Sequence, residues 1–278
     1  MFHFESFTTP EEAGVSSAAL LRFIDEAKKA RETVRFHSVV LLRHGKIVMK
    51  MNIAPYDDIT PHVLFSLSKS FTSAAAGFAV AEGLIRWDSS VTEILPEEIP
   101  EGREEELRGV TLEALLCMGS GLDPASDSPS PSADVTWARH VLSHKLLWAP
   151  MTHFHYNSFG TYLVSCMVQK VTGQTVRDYL MPRLFEPLGI DVPFWETSPD
   201  GIEAGGWGLM LKTEDMAKFI LCCHDGGRFN GQQVIPAWFT KEATSKISSN
   251  DHCERNLDCR AGYGCGFWRC GGLQNTYR

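Results

Sequence analysis

Phe65-Ser66-Leu67-Ser68-Lys69-Ser70-Phe71, FSLSKSF, sets three serines and a lysine between two phenylalanines, directly ahead of the apolar run TSAAAGFAVAEG at 72–83. A serine three residues before a lysine on a helix lies about one turn away on the same face, so Ser66 and Lys69 can meet. Serine is a poor nucleophile without a base, and a lysine withdrawn from water is neutral often enough to take its proton. A helix start beside Ser66 adds the positive end of the helix dipole, which favours a developing oxyanion. The same letters also fit an ordinary helix start in which Ser66 or Ser68 is the N-cap.

A second stretch bears on that choice. HFHYNSFGTYL, at 153–163, places Tyr156-Asn157-Ser158 ahead of a helical run. S-x-x-K and Y-x-S each occur once, in that order, with helical sequence between them. Together they supply a nucleophile, a lysine and a phenol able to carry a proton to a leaving group. Taken alone, Tyr156 reads equally well as half-buried packing.

The rest of the chain sets the context. Its 278 residues suffice for one large domain or two lobes. A formal net charge of -8, with scattered lysines and arginines, argues against a nucleic-acid or anionic-membrane surface and favours small-molecule partners. MFHFESFTTPEEAG lacks the pattern of a secretory signal, and SVVLL is too short to cross a bilayer, so the expected location is the cytoplasm. Eight cysteines then read as free thiols. Cys253, Cys259, Cys265 and Cys270 lack the close pairing of a zinc site, and His153 with His155 lacks a nearby third ligand. No metal or cofactor is expected.

Along the chain, VSSAALLRFIDEAKKARE reads as an amphipathic helix with Ser16 or Ser17 at its cap, and HSVVLLRHGKIVMKMN as a β-hairpin turning at Arg43-His44-Gly45-Lys46. A helix from Ser68 to about Ala81 should close at Gly83. TLEALLCMG, VTWARHVLSHKLL, SFGTYLVSCMVQKVTG, TVRDYLMPRLFEPLG, TEDMAKFILCCHDGG and PAWFTKEATSK continue the helical pattern, with GLDPASDSPSPSAD as a polar loop among them. YGCGFWRC and LQNTYR return to strand-like sequence. The expected fold class is α+β. An α/β lobe is formed by residues 1–65 with 220–278, a mainly helical lobe by 66–219, and the site lies in the cleft between them.

The chain resembles the serine β-lactamase and penicillin-binding protein superfamily, in its class C-like branch of esterases, DD-peptidases and amide hydrolases. Five blocks carry the resemblance in order: LFSLSKSFTSAAAGFAVAEGLI, VTLEALLCMGSGLD, FHYNSFGTYLVSCMVQKVTG, LFEPLGI and GGWGLMLKTEDMAKF. The resemblance implies a β-lactamase/transpeptidase-like fold, an antiparallel sheet with flanking helices beside the helical lobe. It implies that Ser66 is acylated, that Lys69 activates it, that Tyr156 is the general acid/base and that Ser158 contacts substrate or Lys69. Trp207, in GGWGL, is a candidate substrate contact. The backbone N–H of Ser66 becomes one oxyanion donor. Gly119-Ser120-Gly121 becomes a structural turn; no G-x-S-x-G is present.

The family's third motif, a Lys/His-Ser/Thr-Gly triad on a strand, has no counterpart before the chain stops at Arg278. The expectation is therefore a fragment or a short version whose sheet is incomplete at the C-terminus. Weak activity, or self-association through an exposed sheet edge, should follow. The leading functional expectation is hydrolysis of a small ester, amide or β-lactam. The alternatives are a β-lactamase or D-amino-acid peptidase, and a non-catalytic or acylation-only binding or sensing module.

Overall fold

The computed structural model describes residues 4–252 and 260–270. The first helix, α1 (Ser17–Lys29), follows Ser16 as the pattern predicts, although Ser16 makes no side-chain cap bond. Its apolar side is only partly covered: Ala27 is buried, Leu20 and Ile24 are half-buried, and Leu21 and Phe23 are exposed. β1 (Ser38–Arg43) and β2 (Lys46–Asn52) form the expected antiparallel hairpin, which turns at His44 and Gly45, both at positive φ. Positive φ at both central residues matches the right-handed twist of the flanking strands.

A short strand, β3 (His62–Val63), leads into a 3-10 turn at Phe65–Leu67 and then α2 (Ser68–Ala81). Residues 68–79 of α2 are all buried. Its alanines and small polar residues let other elements close in from every side, as a central helix requires. The helix closes on Glu82, and Gly83 follows with φ 72.

The helical part continues with α3 (Val91–Ile94), α4 (Glu104–Leu107), α5 (Leu112–Leu116), α6 (Trp137–Ser143), α7 (Ser158–Thr172) and α8 (Val176–Leu180), which runs on as a π-helical turn at Met181–Phe185. α2 packs against α7, which in turn contacts α3, α5, α6 and α8. Phe71 of α2 is fully buried between Phe219 and Phe185, with ring centroids at 3.9 and 6.0 Å. Enclosing a phenylalanine this completely contributes about 1.5–3 kcal/mol.

Two further strands, β4 (Phe194–Trp195) and β5 (Leu209–Leu211), join β3 in an antiparallel sheet of order β3-β5-β4. β5 pairs with β3 three residues before Ser66, so this sheet fixes where the 3-10 turn begins. α9 (Thr213–His224) follows and packs on β1; position 219/220, the expected lobe boundary, lies inside it. The chain continues through β6 (Arg228–Phe229), β7 (Gln232–Gln233) and α10 (Ala237–Ala243). β6 and β7 make a tight hairpin at Asn230-Gly231, a strong turn dipeptide with both residues at positive φ.

YGCGFWRC departs from its strand-like reading. Tyr263 bridges Trp268 and Ser248, Gly264 N donates to Phe267 O, and the segment reverses on itself. Tyr263 is buried while Phe267 and Trp268 are half-buried, so its aromatics fill a corner of the core instead of one face of a strand. LQNTYR lies outside the described residues, as do Cys253 and Cys259. Cys117, Cys166, Cys222, Cys223 and Cys265 are free thiols. Among the described residues no helix is long and apolar enough to cross a membrane.

Gly119-Ser120-Gly121 is a turn whose last residue has little freedom. Gly121 sits at φ 78, and a Cβ there would fall 2.1 Å from the Trp148 carbonyl oxygen. Its own carbonyl accepts from Leu147 N. Gly121→Ala is expected to destabilise the protein by about 3–5 kcal/mol and lower Tm by roughly 10 °C in a thermal melt. A shift under about 2 °C would mean that the 147–149 segment moves aside freely.

Candidate active site

The three serines of FSLSKSF part ways in three dimensions. Ser68 Oγ accepts from Leu209 N at 3.2 Å, tying the start of α2 to β5. Ser70 Oγ donates to Gly266 O at 2.8 Å. Neither caps α2, which has no side-chain cap bond at its start, so the cap alternative does not describe this helix. Ser66 is exposed in the 3-10 turn and faces Lys69.

Phe65 precedes it with φ 45, a left-handed conformation that strains a bulky residue by roughly 1–3 kcal/mol. Its side chain is exposed, so no burial of the ring offsets the strain locally. The conformation turns the chain from β3 into the helix and leaves Ser66 at the surface.

Lys69 is 1 % exposed, and its Nζ lies 3.1 Å from Ser66 Oγ, 3.2 Å from Ser158 Oγ and 2.7 Å from the Gly206 carbonyl oxygen. The carbonyl can only accept, so one N–H of Lys69 points at Gly206 in either protonation state. As an amine, Nζ keeps a second N–H for Ser158 and a lone pair for the Ser66 hydroxyl. As an ammonium it donates in all three directions. One geometry therefore serves both ends of a proton transfer.

Nζ also lies 4.8 Å from the centroid of the Tyr156 ring. Tyr156 is half-buried against a small cluster of Met118, Phe154 and Tyr263, and stacks on Trp268 at 5.3 Å with 21° between the planes. This loop is held from the turn after α5: His155 N donates to Met118 O, and Asn157 N approaches Met118 Sδ. Asn157 then caps α7 by accepting from Gly160 N at 2.8 Å.

Four of the five expected residues thus gather at one point: Ser66, Lys69, Tyr156 and Ser158. Trp207 reaches it differently. Its ring packs on Phe159 and Trp137 at 4.9 and 6.1 Å, and its carbonyl accepts from Trp195 Nε1. The group that this segment delivers to Lys69 is the preceding carbonyl, of Gly206. Sequence reasoning missed it because every residue carries a carbonyl; the glycine-rich GGWGL was the available signal. A Cβ on Gly206 would fall 2.5 Å from Ser158 O, so glycine is what lets the two segments touch.

His153 stacks on Trp148 at 4.2 Å and lies beside His252. Burial holds His155 below its ordinary pKa, with the carboxylates of Asp127 and Asp123 pulling the other way. Among the described residues no group of three or more His, Cys, Asp or Glu is arranged to hold a metal ion.

The Beta-lactamase family model matches residues 25–277. The "Beta-lactamase" of Escherichia coli (strain K12) is 27 % identical over 194 residues, which cover 61 % of this chain and half of that protein's length. Among solved structures, EstCE1, "a hydrolase with promiscuous acyltransferase activity", superposes with a TM-score of 0.72 at 15 % identity, covering 90 % of this chain and 82 % of that one. The octameric penicillin-binding protein homologue from Pyrococcus abyssi gives 0.69 at 19 % identity, covering 91 % and 65 %. At these identities the structural likenesses speak for the fold.

Proposed function

The chain belongs to the Beta-lactamase family, and on that premise we propose that it is a serine hydrolase that cleaves a small ester or amide through an acyl-enzyme on Ser66. The observation that carries this reading is the buried Lys69 amine, held between Ser66 Oγ, Ser158 Oγ and Gly206 O. In the acylation step Lys69 Nζ takes the Ser66 proton as Oγ attacks the carbonyl carbon. The Ser66 N–H donates to the oxygen that gains charge. The proton then passes by way of Ser158 or Tyr156 to the leaving group, whose bond to the carbonyl carbon breaks. Water attacks the acyl-enzyme with the same groups acting in reverse, which returns Ser66 and releases the acid.

Small acyl substrates fit a family whose relatives include a protein named as a β-lactamase and one named as a hydrolase with acyltransferase activity. The pairing of β3 with β5 supports it by bringing the segments of Ser66 and Gly206 together at Lys69.

The test is covalent. Incubation with a fluorophosphonate, followed by peptide mass spectrometry, is expected to find the phosphonyl group on Ser66, with turnover of a p-nitrophenyl ester before labelling. A folded protein that takes no label at Ser66 overturns the reading. Label at Ser66 without turnover of any ester, amide or β-lactam supports the acylation-only sensor instead.

A further inference from the structure

The polar loop before α6 reaches into the site from behind. Asp123 begins a 3-10 turn at Pro124–Ser126, with its side chain accepting from Ala125 N, and the next residue is Asp127. Asp127 Oδ1 accepts from Ser158 N at 2.7 Å and from Phe159 N at 3.0 Å. Those amides open the fifteen-residue α7 and have no partner within the helix. Beside them, the buried Asn157 donates from Nδ2 to Ser126 Oγ at 2.7 Å. Residues 126 and 127 therefore clamp residues 157 to 159 at three points.

We propose that Asp127 is a positioning residue: by holding the Ser158 and Phe159 amides on one carboxylate oxygen it fixes the Ser158 hydroxyl at Lys69. The inference rests on the serine hydrolase reading above and deepens it. Two amide donors converging on one oxygen fix both peptide planes, and charge makes such bonds about twice as strong as neutral ones. A carboxylate at a helix N-terminus is also stabilised by the dipole. The Ser158 side chain leaves that fixed backbone with a single torsion to its Oγ, 3.2 Å from Lys69 Nζ. Without Asp127 the first turn of α7 can fray, and the hydroxyl that would relay a proton loses its place while Ser66 and Lys69 keep theirs.

The test is a double-mutant cycle on the full chain, reading kcat, KM and the rate of Ser66 phosphonylation, with active sites counted by the label. Asp127→Ala is expected to lower kcat about tenfold with KM within about twofold. Asp127→Asn keeps an acceptor oxygen and is expected to recover to within about threefold of wild type. Asp127→Glu keeps the charge but displaces it, and should fall with Ala. In the Ser158→Ala background, Asp127→Ala should cost nothing further. Losses that multiply in the double variant, or Glu active while Asn is not, would overturn the proposal; the Asn and Glu comparison stands even if the Ala variant does not fold. Ser66→Ala separates the two claims: if it hydrolyses at the wild-type rate, the hydrolase reading itself fails, and if it is dead while the cycle is additive, only the role of Asp127 fails.

Discussion

Replacing Lys69 with methionine is expected to lower kcat for an activated ester by about 10³-fold, near the middle of what positioned acid–base groups supply. Methionine fills nearly the same buried volume, so the loss should appear in turnover and in the phosphonylation rate, with circular dichroism unchanged. Some stability should go too. The Gly206 carbonyl, which accepts from Lys69 Nζ at 2.7 Å, loses that donor, and a stranded buried acceptor costs about 1–3 kcal/mol. Lys69→Arg discriminates between two roles for the amine. A guanidinium stays charged and cannot accept the Ser66 proton, so it should be as inactive as methionine if Lys69 exchanges protons. Recovery by arginine to a tenth of the wild-type rate would instead show that positive charge alone is what Ser66 requires. Adding Ser66→Ala to Lys69→Met should cause little further loss beyond Ser66→Ala alone, because groups that act as one unit are not additive.

The sequence made the Ser66–Lys69 approach legible because helical spacing is a local rule: three residues apart means neighbours, and although Ser66 lies in the 3-10 turn before α2, that turn keeps the i, i+3 approach, at 3.1 Å. The Tyr156-Asn157-Ser158 element was legible as chemistry, a phenol and a hydroxyl before a helix, and the fold brought it to Lys69 from 89 residues away. Gly206 and Asp127 were not legible, for different reasons. The first acts through a backbone carbonyl, which has no letter of its own. The second sits in GLDPASDSPSPSAD, where aspartate, serine and proline already satisfy the usual needs of a loop, so nothing marks one carboxylate as the acceptor for the first amide of a helix 31 residues on.

Strand content suffered from length. β3, β4, β6 and β7 are two residues each, and β5 is three, too short for an alternation to register. Their pairing is set by tertiary contact: Met210 stands opposite both Val63 and Phe194, a register that no window on one strand could contain. The hairpin of β1 and β2 was long enough to read, and so were α2, α7 and α9. The aromatic run at 263–268 misled because β-propensity reports a fit to a half-buried surface, and a packed reversal offers the same surface.

Gly206→Ala is expected to lower kcat by about 10²-fold, since displacing a catalytic group by about 1 Å can cost that much. The added Cβ would stand 2.5 Å from Ser158 O and 3.3 Å from Ser158 Cβ, both parts of the α7 start that Asp127 holds from the other side. Since 2.5 Å lies inside van der Waals contact, one segment must retreat. If the Gly205–Gly206 bend retreats, the carbonyl leaves Lys69, and the amine can swing away from Ser66. If α7 retreats, Ser158 leaves instead, and the Ser66–Lys69 contact survives. The two cases separate by experiment: the first slows Ser66 phosphonylation along with turnover, while the second leaves phosphonylation near the wild-type rate and slows only the steps that need a proton delivered to a leaving group. Phosphonylation by a fluorophosphonate expels fluoride, which needs little help from an acid, so it isolates activation of Ser66 from relay through Ser158. A Gly206→Ala protein with unchanged kcat would show that the Lys69–Gly206 contact is incidental. Loss of turnover alone would instead place the sensitivity of the site at the start of α7.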